Sequence, residues 1–226
     1  MRDVVVFGSS NILSDLADCA HARGLRISRV VVDEGPAPGP RDVPLAVRVR
    51  SFERLGMAVC IERIDEFEPR AGELYVIGPT TPQRFALVER LQQRLGLRFH
   101  TLVHPRACVS PLAELAEGCF VGAGSVLAPG VRLGAHVFVN RGVTIGHDTT
   151  VESYARLQPG ANVGGLTRVG RGSTVGLGAA VLERLVIGSE TVVAAGAVVT
   201  SDLPDRVMAA GVPAVVKCAL PPIFDV

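Results

Sequence analysis

The carboxy-terminal half of the chain carries an aliphatic residue at every sixth position without interruption. The series has 16 members, which are Val109, Leu115, Val121, Leu127, Leu133, Val139, Ile145, Val151, Leu157, Val163, Val169, Val175, Val181, Ile187, Val193 and Val199. An α-helix repeats every ~3.6 residues and a half-buried strand every two, so a period of six fits neither. It is typical of a parallel β-helix, in which each hexapeptide forms one side of a triangular coil.

Two further positions of the hexapeptide favour small residues. The fourth residue after the aliphatic is small or β-branched, as at Ala155 and Ser173, and the residue directly after the aliphatic is often glycine, as at Gly146 and Gly164. We expect the aliphatic to fill the prism, the small residue to fit near a corner and the glycine to permit the tight turn. The irregular hexapeptide at 182–185 predicts a small bulge.

Three hexapeptides close one coil, so the series predicts about five coils at a spacing of ~4.8 Å, or a prism roughly 25 Å tall. A β-sandwich is disfavoured because its turns fall every 8–12 residues.

Residues 1–104 alternate strand and helix patterns instead. The apolar runs 4–7, 27–32, 74–78 and 99–103 predict strands, whereas 12–20, ended by Gly24, and 82–95, opened by Pro82, predict helices. A Pro- and Gly-rich loop is expected at 36–44. This order predicts a small Rossmann-like α/β domain whose parallel sheet binds ligands at the carboxyl ends of its strands. The turn after Gly8 either receives an anion at a helix N-terminus or only connects the strand to the helix.

Composition and charge limit the classes of partner. Apolar residues make up 48% of the chain, enough to bury a core, and the net charge of +1 offers neither a nucleic-acid surface nor a polybasic membrane patch. No apolar run approaches the ~20 residues of a membrane span. The odd count of five cysteines, the lack of a CxxC motif and a start unlike a secretion signal predict reduced thiols in a cytoplasmic protein. Cys119 occupies a small-residue position and is expected to be a core residue.

One histidine of the coil is followed directly by an acid. An imidazole titrates near neutral pH and becomes a stronger base beside a carboxylate, so His147 with Asp148 is a candidate general base. His147 occupies a polar position of its hexapeptide and should face outward, and the alternative is a plain surface histidine. His136 is expected at the surface and His104 in a structural role, and the coil offers too few histidines for a metal site.

Three segments resemble the nucleotide-sugar acetyltransferases of the hexapeptide-repeat superfamily, such as those of the bacillosamine, sialic-acid and perosamine pathways. They are the junction LVHP at 102–105, the catalytic-coil segment VNRGVTIGHD at 139–148 and the closing motif GVPA at 211–214. The resemblance implies a nucleotide-sugar-binding domain at 1–104, a left-handed β-helix at 105–226, assembly as a homotrimer and acetyl-CoA as the acyl donor.

The same resemblance implies roles for individual residues. His147 aligns with the family's catalytic base, Asp148 with the acid that makes this base stronger, and Gly165 with a glycine whose N–H faces the acetyl carbonyl. Contacts with coenzyme A are implied at Arg156, Gly165, Leu177 and Ala195. Contacts with the nucleotide-linked acceptor are implied at Gly8, Ser10, Asp33, Gly78 and Asn140.

These observations favour an acetyl-CoA-dependent N-acetyltransferase of a nucleotide-linked amino sugar, because a sugar ammonium must lose a proton before it can attack a thioester. Two alternatives remain open. The acceptor could be a sugar hydroxyl, or the coil could be a scaffold without catalytic activity that carries a ligand-sensing front domain.

Overall fold

The computed structural model describes residues 1–33, 39 and 41–224, in which a parallel α/β unit leads into a triangular coil. The front unit has strands β1 (Arg2–Phe7), β2 (Leu25–Val32), β3 (Cys60–Arg63) and β4 (Leu74–Ile77), and helices α1 (Leu13–Ala22), α2 (Leu45–Ser51) and α3 (Arg84–Leu95). A 3₁₀ turn spans Phe52–Leu55. The strands are parallel in the order β3-β2-β1-β4.

The front sheet forms around β1, whose last four residues are almost completely buried. A strand buried on both faces is expected to be a continuous apolar run, and 4–7 is such a run. Helix α1 buries Leu13, Leu16 and Ala20, as predicted, and Gly24 follows its end with a φ of +68°. The positions of β1, β2, β4, α1 and α3 therefore follow the predicted pattern.

Three features of the front unit differ from the prediction. Helix α2 and strand β3 were not expected, because α2 buries only Val49 and β3 lies at the sheet edge with no fully buried residue. The strand expected at 99–103 is found only in part, since Phe99 forms an isolated bridge with Tyr75 and only Leu102–Val103 form a strand, which pairs with the coil. In the predicted loop at 36–44, residues 36–38 and 40 lie outside the described residues.

The coil is built from two-residue strands, one for each hexapeptide. They are β5 (Leu102–Val103), β6 (Cys108–Val109), β7 (Glu114–Leu115), β8 (Phe120–Val121), β9 (Val126–Leu127), β10 (Arg132–Leu133), β11 (Phe138–Val139), β12 (Thr144–Ile145), β13 (Thr150–Val151), β14 (Arg156–Leu157), β15 (Asn162–Val163), β16 (Arg168–Val169), β17 (Thr174–Val175), β18 (Ala180–Val181), β19 (Val186–Ile187), β20 (Val192–Val193) and β21 (Val198–Val199). Two longer strands, β22 (Val207–Ala210) and β23 (Val215–Ala219), close the stack.

Successive coils pair in parallel, each strand with the strand three hexapeptides further along, as Arg132 with Thr150 and Leu133 with Val151 show. Three hexapeptides thus make one coil, as predicted. The coil has three faces. The first contains β5, β8, β11, β14, β17, β20, β22 and β23; the second contains β6, β9, β12, β15, β18 and β21; the third contains β7, β10, β13, β16 and β19.

The glycines that directly follow the aliphatic residue serve the stacking and not the turn. Neither Gly146 nor Gly164 has a positive φ, and a Cβ on Gly146 would collide with the backbone nitrogen of Gly165 in the next coil. Corner residues such as Asp148 adopt the left-handed conformation instead, at φ +55°. The predicted bulge at 182–185 is also wrong, because the pairings on both sides of it keep the regular register.

The two parts of the chain pack closely together. Phe120 and Phe138 stack at a centroid distance of 5.0 Å on the outside of the first face and join the core of the front unit. Arg84 of α3 is buried and donates to the carbonyl oxygens of His136 and Ala155 in the coil. Leu102 and Val103 already pair with the coil at β8, and the domain boundary after residue 104 stays a prediction.

Three other residues can be compared with their expected environments. His136 is not at the surface as expected, since it is 3% exposed and stacks on Tyr154 at 5.2 Å. Burial, together with the charge of Arg84, lowers the pKa of His136 to about 4. His104 is buried and its Nδ1 accepts the Arg106 N–H at 3.0 Å, which fits the structural role, and Cys119 is a buried core residue as expected.

Candidate active site

The predicted catalytic pair lies at a corner between the second and third faces. His147 and Asp148 follow β12, where the chain turns toward β13, and both side chains are about 60% exposed. His147 Nδ1 lies 2.9 Å from Asp148 Oδ2. The imidazole therefore faces outward, as its position in the hexapeptide predicted.

This contact selects one tautomer of a neutral His147. An ionised carboxylate has no proton to donate, so Nδ1 must carry the hydrogen and Nε2 keeps its lone pair. Within the described residues Nε2 has no hydrogen-bond partner. The left-handed backbone at Asp148, which Asp tolerates better than most residues, places its carboxylate beside the ring. The pair is thus built to take up a proton at Nε2.

Gly165 lies directly against the imidazole, one coil further along the stack. A Cβ added to Gly165 would stand 2.8 Å from His147 Nε2 and 2.9 Å from Cδ2. The Gly165 carbonyl accepts the Arg184 N–H at 2.9 Å, whereas its own N–H has no acceptor in the described part of the chain. The structure therefore brings together three of the predicted residues, His147, Asp148 and Gly165. We name the corner column that contains Pro129, His147, Gly165 and Glu183 the histidine edge.

Other predicted site residues lie at a different corner. The leucine edge, between the first and second faces, contains Arg141, Pro159, Leu177 and Ala195, which follow one another at intervals of one coil. Asn140 precedes this edge and is 7% exposed, with its Oδ1 accepting the Arg141 N–H at 2.8 Å. Arg156 lies on the first face and donates from Nε to Thr174 Oγ1 at 3.0 Å. Within one chain, the second face separates these residues from His147.

The front unit has an open cavity of about 640 Å³ at the carboxyl ends of β1 and β2. The predicted residues Gly8, Ser10 and Asp33 line it, and Gly78 lies next to it, where its carbonyl accepts the Ser10 hydroxyl at 2.7 Å. Gly8 has a φ of +79°, and an added Cβ would meet Pro79 Cδ at 2.7 Å. The four predicted residues therefore lie in or beside one cavity, which we call the front pocket, and their contact with a ligand stays a prediction.

Sequence reasoning missed two arginines of the front pocket. Arg48 donates to Asn11 Oδ1 at 2.7 Å and to Ser14 Oγ at 2.8 Å, and Arg90 donates to Asp33 Oδ2 at 2.6 Å. Arg48 belongs to the unpredicted helix α2, so no periodic signal pointed to it. Arg90 lies on the polar face of α3, and this polar face was the one feature of the sequence that could have pointed to it.

Among the described residues, no group of three or more His, Cys, Asp or Glu side chains is arranged to hold a metal ion. In the same residues, every helix is too short or too polar to cross a bilayer.

Solved structures with the same architecture include acetyltransferases. The acetyltransferase domain of PglB from Neisseria gonorrhoeae superposes with a TM-score of 0.79 at 26% identity, covering 96% of this chain and 100% of that one. A His-to-Asn variant of perosamine N-acetyltransferase from Caulobacter crescentus, in complex with CoA and GDP-perosamine, gives 0.76 at 26% identity and covers 96% and 97%. WeeI from Acinetobacter baumannii, at 19% identity and a TM-score of 0.73, covers 96% and 100% and shares the fold.

No protein-family model matches the chain, and no curated protein sequence matches it either. The structural matches nevertheless span nearly the whole chain and all of the matched domain of PglB. The resemblance to hexapeptide-repeat sugar acetyltransferases is thereby confirmed, and so is the prediction of an acyltransferase.

Proposed function

We propose that this acyltransferase moves an acetyl group from acetyl-CoA to the amino group of a nucleotide-linked sugar, with His147 as the general base. The observation that carries the proposal is the contact of His147 with Asp148 on one side and Gly165 on the other. Acetyl-CoA as the donor is supported by the CoA and acetyl coenzyme A in the neighbouring structures.

The first step uses the lone pair of His147. Nε2 removes the proton that the amino group must lose, and the nitrogen attacks the thioester carbonyl carbon. Asp148 keeps the ring in the required tautomer and stabilises the imidazolium that forms. When the tetrahedral intermediate collapses, the C–S bond breaks, the leaving thiolate takes the proton back from Nε2, and the second proton of the former ammonium passes to solvent.

The negative charge of the tetrahedral intermediate needs a fixed donor. Gly165 lies against the imidazole, and its N–H has no acceptor in the described part of the chain, so this N–H is suited to the developing oxyanion. The Cβ of any other residue would occupy the space against the ring. This gives a physical reason for glycine at position 165.

Assembly as a homotrimer would complete the site. The histidine and leucine edges lie on opposite sides of the second face, six residues apart along the chain, or at most ~20 Å. Three copies with their second faces toward a common axis would place the histidine edge of one beside the leucine edge of the next. The outward strand residues of the second face carry no charge, which supports this packing; they are Cys108, Val126, Thr144, Asn162, Ala180 and Val198. In this trimer Leu177, Ala195 and Arg156 would contact coenzyme A from the partner's side.

The front pocket is the proposed nucleotide site. Gly8, Ser10 and Asp33 line it, with Gly78 beside them, at the carboxyl ends of parallel strands, where Rossmann-like domains bind nucleotides. With the nucleotide bound in this pocket, the attached sugar would extend to the coil, where Asn140 would help to hold it. We also propose that the coil is left-handed, as the resemblance to hexapeptide-repeat acetyltransferases implies.

A panel of acceptors tests the proposal. The purified protein is given acetyl-CoA with GDP-perosamine, with UDP-linked amino sugars and with UDP-linked sugars that carry only hydroxyls, and the products are identified by mass spectrometry. We expect acetylation of at least one amino sugar, in a product that resists mild hydroxylamine as an amide does. Turnover of hydroxyl sugars alone would identify an O-acetyltransferase, and no turnover of any acceptor would favour the scaffold.

A further inference from the structure

An ion pair links the front unit to the coil beside the proposed acceptor site. Arg141 Nη1 donates to Asp15 Oδ1 at 2.7 Å, across 126 positions of sequence. Arg141 lies on the leucine edge, directly after Asn140, and Asp15 lies in the first turn of α1. The pair therefore joins a residue of the coil to the helix that begins at the front pocket.

Polar contacts continue from this pair to the pocket. Arg48, which lines the pocket, donates to the hydroxyl of Ser14, the neighbour of Asp15, at 2.8 Å. On the other side, the backbone N–H of Arg141 is held by Asn140 Oδ1 at 2.8 Å. The pair therefore belongs to a series of polar contacts that connects the front pocket with the leucine edge of the coil.

Both members of the pair keep free hydrogen-bonding capacity. The side chain of Arg141 is 58% exposed and that of Asp15 35%. Only one of the five guanidinium N–H groups donates to a described residue. The remaining N–H groups are donors, and the second carboxylate oxygen is an acceptor. A sugar hydroxyl both donates and accepts, so a guanidinium beside a carboxylate matches two neighbouring hydroxyls.

We propose that Arg141 and Asp15 together recognise hydroxyl groups of the acceptor sugar and so determine which sugar is acetylated. This inference rests on the proposed function. It assigns sugar specificity to a pair made of one residue from each part of the chain. The nucleotide would be held by the front pocket, and the reacting amine would be presented to His147 of the neighbouring copy.

The test measures steady-state kinetics of Arg141→Met, Asp15→Asn and a control, Arg132→Met. Arg132 is an exposed coil arginine that faces Glu114 at 3.7 Å on the third face, which the leucine edge does not border. The acceptors are the nucleotide-linked amino sugar that the wild type uses best and the methyl glycoside of the same sugar. We expect both test variants to raise the acceptor KM about 10-fold or more, as loss of a charged hydrogen bond does, for both acceptors. The KM for acetyl-CoA and the melting temperature should stay unchanged.

Each other result has a definite meaning. If Arg141→Met behaves like Arg132→Met, the pair is an ordinary surface ion pair and the inference is wrong. If the variants raise the KM only for the nucleotide-linked acceptor, the pair aligns the two parts of the chain and does not recognise the sugar. This result also overturns the inference. A wild type that acetylates no amino sugar removes the proposed function itself, and this is seen before any variant is compared.

Discussion

At the scale of single residues, the candidate site depends on three local conditions at one corner of the coil. His147 needs a carboxylate at Nδ1, Asp148 needs a left-handed backbone, and Gly165 must have no side chain where the ring lies. Each requirement is local, and adjacent coils satisfy them together because every coil consists of three hexapeptides in the same register. The corner geometry thus converts a repeat in sequence into a contact in space.

Replacement of His147 tests the base directly. We expect His147→Ala to lower kcat for acetyl transfer by about 10²-fold or more, since general-base catalysis typically contributes about 10²–10⁴-fold. The fold should persist because the side chain is exposed. Acetylation rates with a saturating amino-sugar acceptor check this, and His21→Ala, an exposed histidine on α1, is the control. Turnover near that of the control would remove His147 from the mechanism.

Substitution of two neighbouring glycines should distinguish an effect on catalysis from an effect on stability. Gly165→Ala adds a methyl 2.8 Å from His147 Nε2, so it should displace the ring and lower kcat at least about 10-fold while the melting temperature hardly changes. Gly164→Ala adds a methyl 2.5 Å from the backbone nitrogen of Glu183, so it should lower the melting temperature first. Thermal unfolding and acetylation assays on both variants check the contrast. If the two variants had the same effect on the melting temperature and the same effect on kcat, this would argue against a special role for Gly165.

At the scale of elements, the hexapeptide series predicted the coil well because each strand makes the same contacts as the strand one coil away. The front unit was less predictable. Helix α2 buries one residue and β3 is an edge strand, so neither carries a strong apolar period. His136 was misplaced for a related reason. Its burial comes from Tyr154 and Phe99, which lie far from it in sequence, and not from its own hexapeptide.

The packing of α3 against the coil should give stability a dependence on pH. An unfolded histidine binds a proton below a pKa of about 6.5, whereas folded His136 stays neutral until its lowered pKa of about 4 is reached. The unfolded chain therefore binds more protons in this window, so this group lowers stability as the pH falls. We expect wild type to lose up to about 3 kcal/mol more than His136→Asn between pH 7 and pH 4.

Urea unfolding at both pH values and one protein concentration measures this difference. Asn suits the left-handed backbone at position 136, where φ is +58°, so the comparison concerns the change with pH and not the absolute stability. Equal losses in the two proteins would show that His136 is protonated as readily in the fold as in the unfolded chain.

At the scale of the whole molecule, the proposed site needs more than one copy. The regular spacing of the coil keeps the histidine and leucine edges apart within a chain, on either side of an uncharged face. Neither the period nor the fold of one chain reveals how copies meet. The distribution of charge does favour one face, because the third face carries Glu114, Arg132 and Arg168 on its outside whereas the strands of the second carry none.

A charge on the second face should therefore break the assembly. We expect Asn162→Arg to convert a trimer into monomers and to lower acetylation at least about 10-fold, because three buried guanidinium groups would face one another without partners. Val186→Arg, at the matching outward position of the third face, should keep the trimer and its activity. Light scattering after size-exclusion chromatography measures the mass. Dissociation by Val186→Arg but not by Asn162→Arg would mean that the copies meet through the third face.

The constant register between coils also means that distances along the coil axis increase in equal steps of one coil. Leu177 and Ala195 lie two and three coils beyond Arg141 on the leucine edge, hence ~10 and ~14 Å further along the axis at the spacing of paired strands. Inserting or removing one whole coil between these levels would leave every corner, glycine and core position in phase. The proposed groove for acetyl-CoA would thus change in length during evolution by whole coils, while the proposed reacting groups at its base stayed unchanged.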